Sequence, residues 1–446
     1  MTAQRGRRPV TDFQSEKFMD RRGFLKELGL VGGSGVLLAM FPWLQSCSDE
    51  ARREVAGEKA RLAIVGTGSR GQYHIQNLLN TPEAEIVALC DIYPPHLAEA
   101  AALCPGAKCY SDFDELLKDT NVQGLVIAVP LSSHAPLSIA GLRAGKHVFC
   151  EKAMAYTVDE CKQMYDVWKE TGKVLYIGQQ RLFDKKYIRA VELINSGEIG
   201  QIVALRNFWF RNNDWRRPVP SPEFERLINW RLYRDTSCGL MTELGCHHLQ
   251  NGTWILRSLP DYITGSGDIV YWKDGRDVYD SVSTIYHYPN GVKMSFDSVI
   301  ANKRYGMDEQ VLGSKGTLEL SRDRLYHEEP RPKTGIRQLI GQIEQGVFDN
   351  SVFAGTSWAP ELGSNDPGEP IVSSAAVHNG ASMVGASGDG SEEMIAAYCR
   401  SVITGKQAPN LVEESYYAAV LALLGLQAME EHRIVEFPQE YVIPYL

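Results

Sequence analysis

A chain of 446 residues is too long for one ordinary hydrophobic core, so its length predicts two domains with additional segments. Hydrophobic residues make up 44% of the chain and charged residues 23%, which excludes a collagen-like or wholly disordered protein. The net charge of −9 argues against a nucleic-acid partner, because such proteins present a basic surface.

The N-terminal segment has the pattern of an export signal. Arg21 and Arg22 precede a glycine-interrupted apolar stretch that ends at Leu44, which resembles a twin-arginine signal. The stretch leads into Leu44-Gln45-Ser46-Cys47, which resembles a lipobox, in which an acylated cysteine becomes the new N-terminus. We expect residues 1–47 to direct export to the periplasm or cell envelope, with a lipid anchor if Cys47 is acylated. Simple cleavage is the alternative.

A glycine-rich motif follows the linker of residues 48–59. The apolar run at residues 62–65 enters Gly66-Thr67-Gly68-Ser69-Arg70-Gly71, and a predicted helix extends from there to Leu79. In a GxGxxG motif the glycines let the backbone approach a pyrophosphate, whose charge the N–H groups of the helix start receive. We therefore predict that Gly66, Gly68, Ser69, Arg70 and Gly71 bind a dinucleotide. Arg70 either contacts a phosphate or lies in solvent.

The residues after this motif predict NAD rather than NADP. A second apolar strand ends in Asp91, and an acidic residue there accepts hydrogen bonds from the ribose hydroxyls and repels a 2′-phosphate. Strands and helices alternate with short connections, which predicts a doubly wound parallel sheet, a Rossmann domain, over residues 60–178. Pro130 with His134, and Glu151 with Lys152, follow strand ends and should face the nicotinamide half of the cofactor.

The rest of the chain predicts a second α/β domain. Alternating strands joined by hairpins recur from residue 202 onwards, which indicates a largely antiparallel open sheet within residues 179–390. Residues 330–390 are rich in Gly, Ser, Pro and Asn, and we interpret them as a loop insertion. Residues 391–446 should form C-terminal helices that pack back. The nine cysteines lack metal-ligand spacing, so no metal site is expected.

Several motifs together resemble the glucose-fructose oxidoreductase, inositol dehydrogenase and rhizopine catabolism (Gfo/Idh/MocA) family. The resemblance spans roughly residues 60–320 and 390–435. Ala153 stands where the family signature has proline, Glu243 where the family has an aspartate four residues before its histidine, and Gln250 where many relatives have a second aspartate. The motifs are GxGxxG, Asp91, Pro130 with His134, Ala144-Gly145-Lys146-His147-Val148 leading to Glu151-Lys152, Gly178-Gln179-Gln180-Arg181, and Gly239 to His247.

The resemblance implies an oxidoreductase that acts on a secondary alcohol. His247 matches the catalytic histidine of the family and would take the hydroxyl proton. Lys152 would stabilise the developing alkoxide as a preplaced positive charge. Glu243 would orient His247 or accept substrate hydroxyls, and the neighbouring His248 should face elsewhere.

An aromatic and guanidinium-rich segment has two interpretations. Its side chains suit stacking on a sugar face and bonding to its hydroxyls, but they equally suit a domain or protein interface. The candidate substrate residues are Arg181, Trp215, Arg216, Trp230 and Tyr233.

An exported enzyme has no obvious pool of soluble NAD, so we expect a tightly held cofactor. The leading expectation is oxidation of a sugar or glycoside hydroxyl, as in a glycoside 3-dehydrogenase, by a homo-oligomer. A redox-assisted glycosidase and a non-catalytic glycan-binding lipoprotein are the alternatives.

Overall fold

The computed structural model describes residues 41–328, 380–385 and 387–445. The described chain begins with a 3-10 helix, Pro42–Cys47, and helix α1, Asp49–Glu54. The first domain follows. Its strands are β1 (Ala60–Val65), β2 (Ala84–Cys90), β3 (Lys108–Tyr110), β4 (Gly124–Ile127), β5 (His147–Cys150) and β6 (Leu175–Ile177). Its helices are α2 (Ser69–Leu79), α3 (Pro94–Leu103), α4 (Phe113–Leu117), α5 (His134–Arg143) and α6 (Val158–Thr171).

The six strands form one parallel sheet in the order β3-β2-β1-β4-β5-β6. Strands β1, β4 and β5 are almost wholly buried, because connecting helices cover both faces of a parallel sheet. The strand order reverses between β1 and β4, and ligands of such sheets bind at this switch point. The predicted Rossmann architecture is confirmed.

The second domain contains a nine-stranded mixed sheet. Its strands pair antiparallel except β7 with β10, so the predicted, largely antiparallel sheet is also confirmed. The strands are β7 (Ile202–Phe210), β8 (Tyr262–Asp268), β9 (Ser281–His287), β10 (Lys293–Val299), β11 (Met307–Gly313), β12 (Gly316–Glu319), β13 (Arg324–His327), β14 (Ala381–Ser382) and β15 (Val435–Glu436), in the order β14-β13-β12-β11-β7-β10-β9-β8-β15. Its helices are α7 (Lys185–Ser196), α8 (Glu225–Ile228) and α9 (Cys246–Leu256).

Two C-terminal helices, α10 (Ser391–Thr404) and α11 (Leu411–Glu430), return to both domains. On α10, the Tyr398 hydroxyl donates to the Leu125 carbonyl of β4 at 2.9 Å. Helix α11 is buried along nearly its whole length, and the Tyr286 hydroxyl of β9 donates to its Leu421 carbonyl at 2.9 Å. The helices therefore fix the two sheets relative to each other. Most of the loop insertion expected at residues 330–390 lies outside the described residues.

Residues 41–47, at the end of the segment expected to be the leader, pack into the folded protein. Phe41 and Trp43 are completely buried, and Trp43 meets the ring of Trp254 edge-on at 5.8 Å. The Trp43 indole N–H donates to the Leu182 carbonyl at 2.9 Å. The twin arginines lie outside the described residues. None of the described helices has the length and apolar character needed to cross a bilayer.

We expect Trp43→Ala to lower the free energy of unfolding by about 3–5 kcal/mol, because it leaves a large cavity and an unpaired carbonyl. Chemical denaturation followed by circular dichroism measures the change. The control is Arg53→Ala on exposed helix α1, for which we expect a change of less than about 0.5 kcal/mol. Equal stability of both variants would show that the N-terminal segment is not part of the core.

Candidate active site

The glycine-rich turn between β1 and α2 has a backbone that larger residues cannot adopt. Gly66 has a φ of +85°, and a Cβ there would lie 2.4 Å from the Ala128 carbonyl oxygen. A Cβ on Gly71 would lie 2.0 Å from the Gly66 carbonyl oxygen. Helix α2 begins at Ser69 without a side-chain cap from any described residue, so its first N–H groups remain available to an anion.

Asp91 at the end of β2 is tied to this turn. One carboxylate oxygen accepts hydrogen bonds from the Thr67 N–H at 2.6 Å and the Thr67 hydroxyl at 3.0 Å. The other oxygen accepts from the Tyr93 N–H at 2.8 Å. A carboxylate has about four acceptor positions, so Asp91 can still bind ribose hydroxyls. The close-packed turn and this acid fit the pyrophosphate and adenosine ribose of NAD.

Glu151 anchors the end of β5. Its Oε1 accepts from the Arg70 Nε and lies against His74 Nε2, both at 2.7 Å. Burial alone would raise the pKa of Glu151, but Arg70 and His74 outweigh it and hold the pKa well below its usual value. Arg70 is therefore ion-paired and lines the cavity described below rather than lying free in solvent, and its contact with a cofactor phosphate stays a prediction. Glu151 fixes the strand end from which Lys152 projects.

His134 joins the loops after β4 and β5. Its Nδ1 lies 2.8 Å from the Ala153 carbonyl and its Nε2 lies 3.0 Å from the Val129 carbonyl. Burial lowers the pKa of His134, and a neutral imidazole donates to only one of these carbonyls. Pro130 lies in the same loop, next to Leu131, which lines the cavity described below. The two predicted cofactor residues thus shape the loop beside the cavity.

Lys152 reaches across to the second domain. Its ammonium donates to the Glu243 carbonyl at 3.0 Å and lies 3.6 Å from the Glu243 carboxylate. The Arg231 Nε donates to the same carboxylate at 2.9 Å. Burial raises the pKa of Glu243, but Lys152 and Arg231 together lower it below the usual value, so the acid is ionised. The Lys152–Ala153 peptide bond is cis, at the position where the family has proline.

His247 lies on α9, one turn after Glu243. Its side chain lines the cavity, and no described residue forms a hydrogen bond with its buried Nδ1. Burial, reinforced by the charges of Arg181 and Lys152, holds the pKa of His247 well below 6.5. The imidazole is therefore neutral at physiological pH and able to accept a proton.

His248 and Arg181 face a different acid. His248 Nδ1 lies 2.8 Å from Glu309 Oε1, and an Arg181 guanidinium nitrogen donates to the same oxygen. The second terminal nitrogen of the Arg181 guanidinium, Nη2, lies 3.2 Å from the Met307 sulfur. Arg181 is thus held by a buried carboxylate and is not among the residues that line the cavity described below, contrary to the expected substrate contact.

A cavity of about 480 Å³ lies between the domains and brings Lys152, Glu243 and His247 together. Trp215 and Trp230 line it as predicted, whereas Tyr233 donates to Glu225 at 2.7 Å and lies outside it. Arg216 also lines the cavity, as does Gln180 of the Gly178-to-Arg181 motif. The lining residues that the sequence did not predict are Trp209, Arg211, Asn213, Arg217 and Arg231.

Three of the missed residues have a recognisable pattern. Trp209 lies near the end of β7, and Arg211 and Asn213 follow at alternate positions just beyond it; side chains two residues apart share one face of extended chain. The alternation of these three residues is visible in the sequence and could have predicted that they share one face. Among the described residues no group of His, Cys, Asp and Glu is arranged to hold a metal ion.

Two family models match successive parts of the chain. Residues 60–179 match the model described as an oxidoreductase family with an NAD-binding Rossmann fold. Residues 187–319 match the model of the GFO/IDH/MocA C-terminal domain. Together they cover more than half of the chain and both domains that form the cavity.

Similar proteins include dehydrogenases of cyclic polyols. Inositol 2-dehydrogenase from Salmonella typhimurium is 38% identical over 145 residues, which is 32% of this chain and 43% of that protein. This alignment therefore spans less than half the length of that relative. Myo-inositol 2-dehydrogenase from Thermotoga maritima is 27% identical over 266 residues, covering 58% of this chain and 74% of that protein.

Solved structures share the fold at low identity. Levoglucosan dehydrogenase in complex with NADH and L-sorbose superposes with a TM-score of 0.64 at 18% identity, covering 86% of this chain and 100% of that chain. Myo-inositol 2-dehydrogenase from Lactobacillus plantarum superposes with a TM-score of 0.62 at 18% identity, covering 85% and 100%.

We expect Glu151→Gln to lower the free energy of unfolding by about 1.5–3 kcal/mol, because Arg70 and His74 lose a charged hydrogen-bond acceptor. Urea denaturation at neutral pH measures the loss. Glu85→Gln, at an exposed position on β2, makes the same chemical change without a comparable loss. If the two variants were equally stable, the proposed anchoring of β5 would be wrong.

Proposed function

Because the chain belongs to the Gfo/Idh/MocA oxidoreductase family, we propose that it oxidises a secondary hydroxyl of a sugar or glycoside, with NAD as hydride acceptor. One observation carries the proposal: Lys152 from the first domain and His247 from the second line the same cavity beside the glycine-rich turn. The Lys152 ammonium and the neutral imidazole of His247, placed at the same cavity, suit the oxidation of an alcohol.

The residues divide the chemistry between them. Bound NAD supplies the hydride acceptor, and the hydrogen on the substrate carbon leaves with its electron pair. The neutral imidazole of His247 takes the hydroxyl proton as the carbonyl bond forms. The Lys152 ammonium stabilises the negative charge that builds on the oxygen, and ionised Glu243 holds Lys152 in place through the contacts described above.

The walls of the cavity favour a carbohydrate. Trp209, Trp215 and Trp230 provide apolar ring surfaces for the C–H faces of a sugar, and Arg211 and Asn213 provide donors for its hydroxyls. The polyol and sugar ligands named for the relatives support the same class of substrate. We propose a glycoside as substrate, oxidised at C3, with NAD held tightly between turnovers.

The N-terminal motif supports export by the twin-arginine route, which carries folded proteins and would allow NAD to be loaded beforehand. Lipoprotein processing, in which the chain is cleaved just before an acylated Cys47, would remove fully buried Phe41 and Trp43. We therefore propose that any processing occurs before Phe41 and that the mature protein is periplasmic without a lipid on Cys47.

Intact-mass and peptide mass spectrometry of protein isolated from the cell envelope checks this processing. We expect the Trp43 peptide to be present and Cys47 to carry a free thiol. An N-terminus at a diacylglyceryl-modified Cys47 would contradict the proposed processing. Recovery of the protein only from the cytoplasm would contradict export.

The function is tested by adding a panel of glycosides to the NAD-bound protein and following nicotinamide reduction by absorbance. We expect His247→Ala and Lys152→Ala each to lower kcat by about 10²–10⁴-fold without loss of bound NAD. The control is His327→Ala, which removes an exposed imidazole that does not line the cavity.

Because the pKa of His247 lies well below 6.5, kcat/KM should remain constant down to about pH 6.5 and fall only as His247 is protonated at lower pH.

Three results would change the assignment. No reduction with any glycoside would count against the dehydrogenase. Release of the aglycone without net reduction would identify a redox-assisted glycosidase. Full turnover by His247→Ala would remove the imidazole from the mechanism.

A further inference from the structure

A segment of the second domain crosses to the first domain beside the predicted dinucleotide site. We call residues 211–229 the strap. The Arg217 guanidinium donates to the Ser69 hydroxyl of the glycine-rich turn at 3.1 Å. The Phe224 ring meets the Tyr93 ring edge-on, with centroids 5.3 Å apart. Tyr93 follows Asp91 closely, so the strap touches the first domain near both the expected pyrophosphate and the expected ribose.

The part of the strap that carries Arg217 is held in place. The carboxamide of buried Asn229 accepts from the Arg217 N–H at 2.7 Å and donates to the Arg217 carbonyl at 3.0 Å. The same carboxamide donates to Glu225 at 3.0 Å. Arg216, the preceding residue, forms ion pairs with Glu225 and Asp274. The backbone around Arg217 is therefore fixed by a polar network within the second domain.

Two arginines of the strap, Arg217 and Arg211, have no acidic partner among the described residues, and Arg211 instead lies over the Trp209 ring. Arg70, Arg216 and Arg231 each form an ion pair with a carboxylate. No described carboxylate lies within ion-pair distance of Arg217, and the Ser69 hydroxyl is the only described acceptor to which its guanidinium donates a hydrogen bond. Partial burial and the charge of Arg231 lower the pKa of Arg217. An uncompensated cation in this position favours an anionic ligand.

The anion that belongs at this turn is a pyrophosphate. The close-packed glycines and the uncapped start of α2 provide backbone N–H groups on one side of it. Arg217 approaches the same turn from the other domain, and a guanidinium forms paired, charge-assisted hydrogen bonds with phosphate oxygens. The ligand would then be enclosed by both domains.

We propose that Arg217 binds the pyrophosphate of the dinucleotide from the second domain and that the strap retains the cofactor between turnovers. The inference rests on the NAD-dependent function proposed above. Release of the dinucleotide then requires the Arg217 and Phe224 contacts to open, and this requirement would slow the loss of NAD from an exported enzyme.

The test compares wild type with Arg217→Ala, Arg217→Lys and Arg226→Ala. Arg226 lies in the same strap but is exposed and paired with Asp235 at 2.8 Å, so it is the matched control. The dissociation rate of NAD is measured by diluting the NAD-bound protein into an excess of isotope-labelled NAD. Mass spectrometry then follows the replacement of the unlabelled cofactor over time. Affinities for ADP-ribose and for adenosine, which lacks the pyrophosphate, are measured by calorimetry after the bound nucleotide is removed.

We expect Arg217→Ala to release NAD about ten- to a hundred-fold faster and to lose a similar factor in ADP-ribose affinity. Arg217→Lys, which keeps the charge without the paired donors, should have an intermediate effect. Adenosine affinity and the behaviour of Arg226→Ala should match the wild type. Equal melting temperatures of the nucleotide-free proteins show that the variants are folded.

Unchanged NAD release and ADP-ribose affinity in both Arg217 variants would overturn the role of Arg217 and leave the oxidoreductase proposal standing. Equal losses for ADP-ribose and adenosine would also overturn it, because the effect would then not involve the pyrophosphate. Wild-type protein that binds neither NAD nor ADP-ribose would overturn the proposed function as well.

Discussion

The contact between Lys152 and Glu243 joins the two domains at the point where the chemistry is proposed. These residues are 91 positions apart, and the Lys152 ammonium bonds to the Glu243 carbonyl one turn before His247. The position of Lys152 depends in turn on Glu151, which Arg70 and His74 hold at the end of β5. Two buried carboxylates therefore organise the cations on both sides of the cavity.

This arrangement keeps the two carboxylates ionised and the imidazole neutral, which are the protonation states that alcohol oxidation needs. Nearby cations keep Glu151 and Glu243 ionised despite their burial. Burial and the same positive environment keep His247 neutral. A neutral base beside a fixed cation can take a proton while the developing oxyanion is stabilised, so one electrostatic arrangement serves both purposes.

The sequence predicted the parts of the site that depend on local pattern. The spacing of Gly66, Gly71 and Asp91 identified the Rossmann turn, because tight backbone packing restricts the residues allowed there. The motifs around Lys152 and His247 identified two residues that the structure brings to one cavity.

Contacts between distant segments could not be predicted in this way. Arg181 belongs to a family motif, but the direction of its side chain is set by Glu309, a buried acid 128 residues later. Residues 41–47 have the composition of a leader, yet Trp43 packs against Trp254 on α9. Arg217 lies in an irregular segment without periodicity, and only its contact with Ser69 reveals its position at the glycine-rich turn.

A crystal structure of the protein with bound NAD would show whether the interdomain cavity is the active site. This assignment of the active site predicts the pyrophosphate at the glycine-rich turn and the nicotinamide ring in the interdomain cavity, with its reactive carbon facing the space between Lys152 and His247. A dinucleotide bound outside this cavity, or a nicotinamide ring turned away from both side chains, would contradict it.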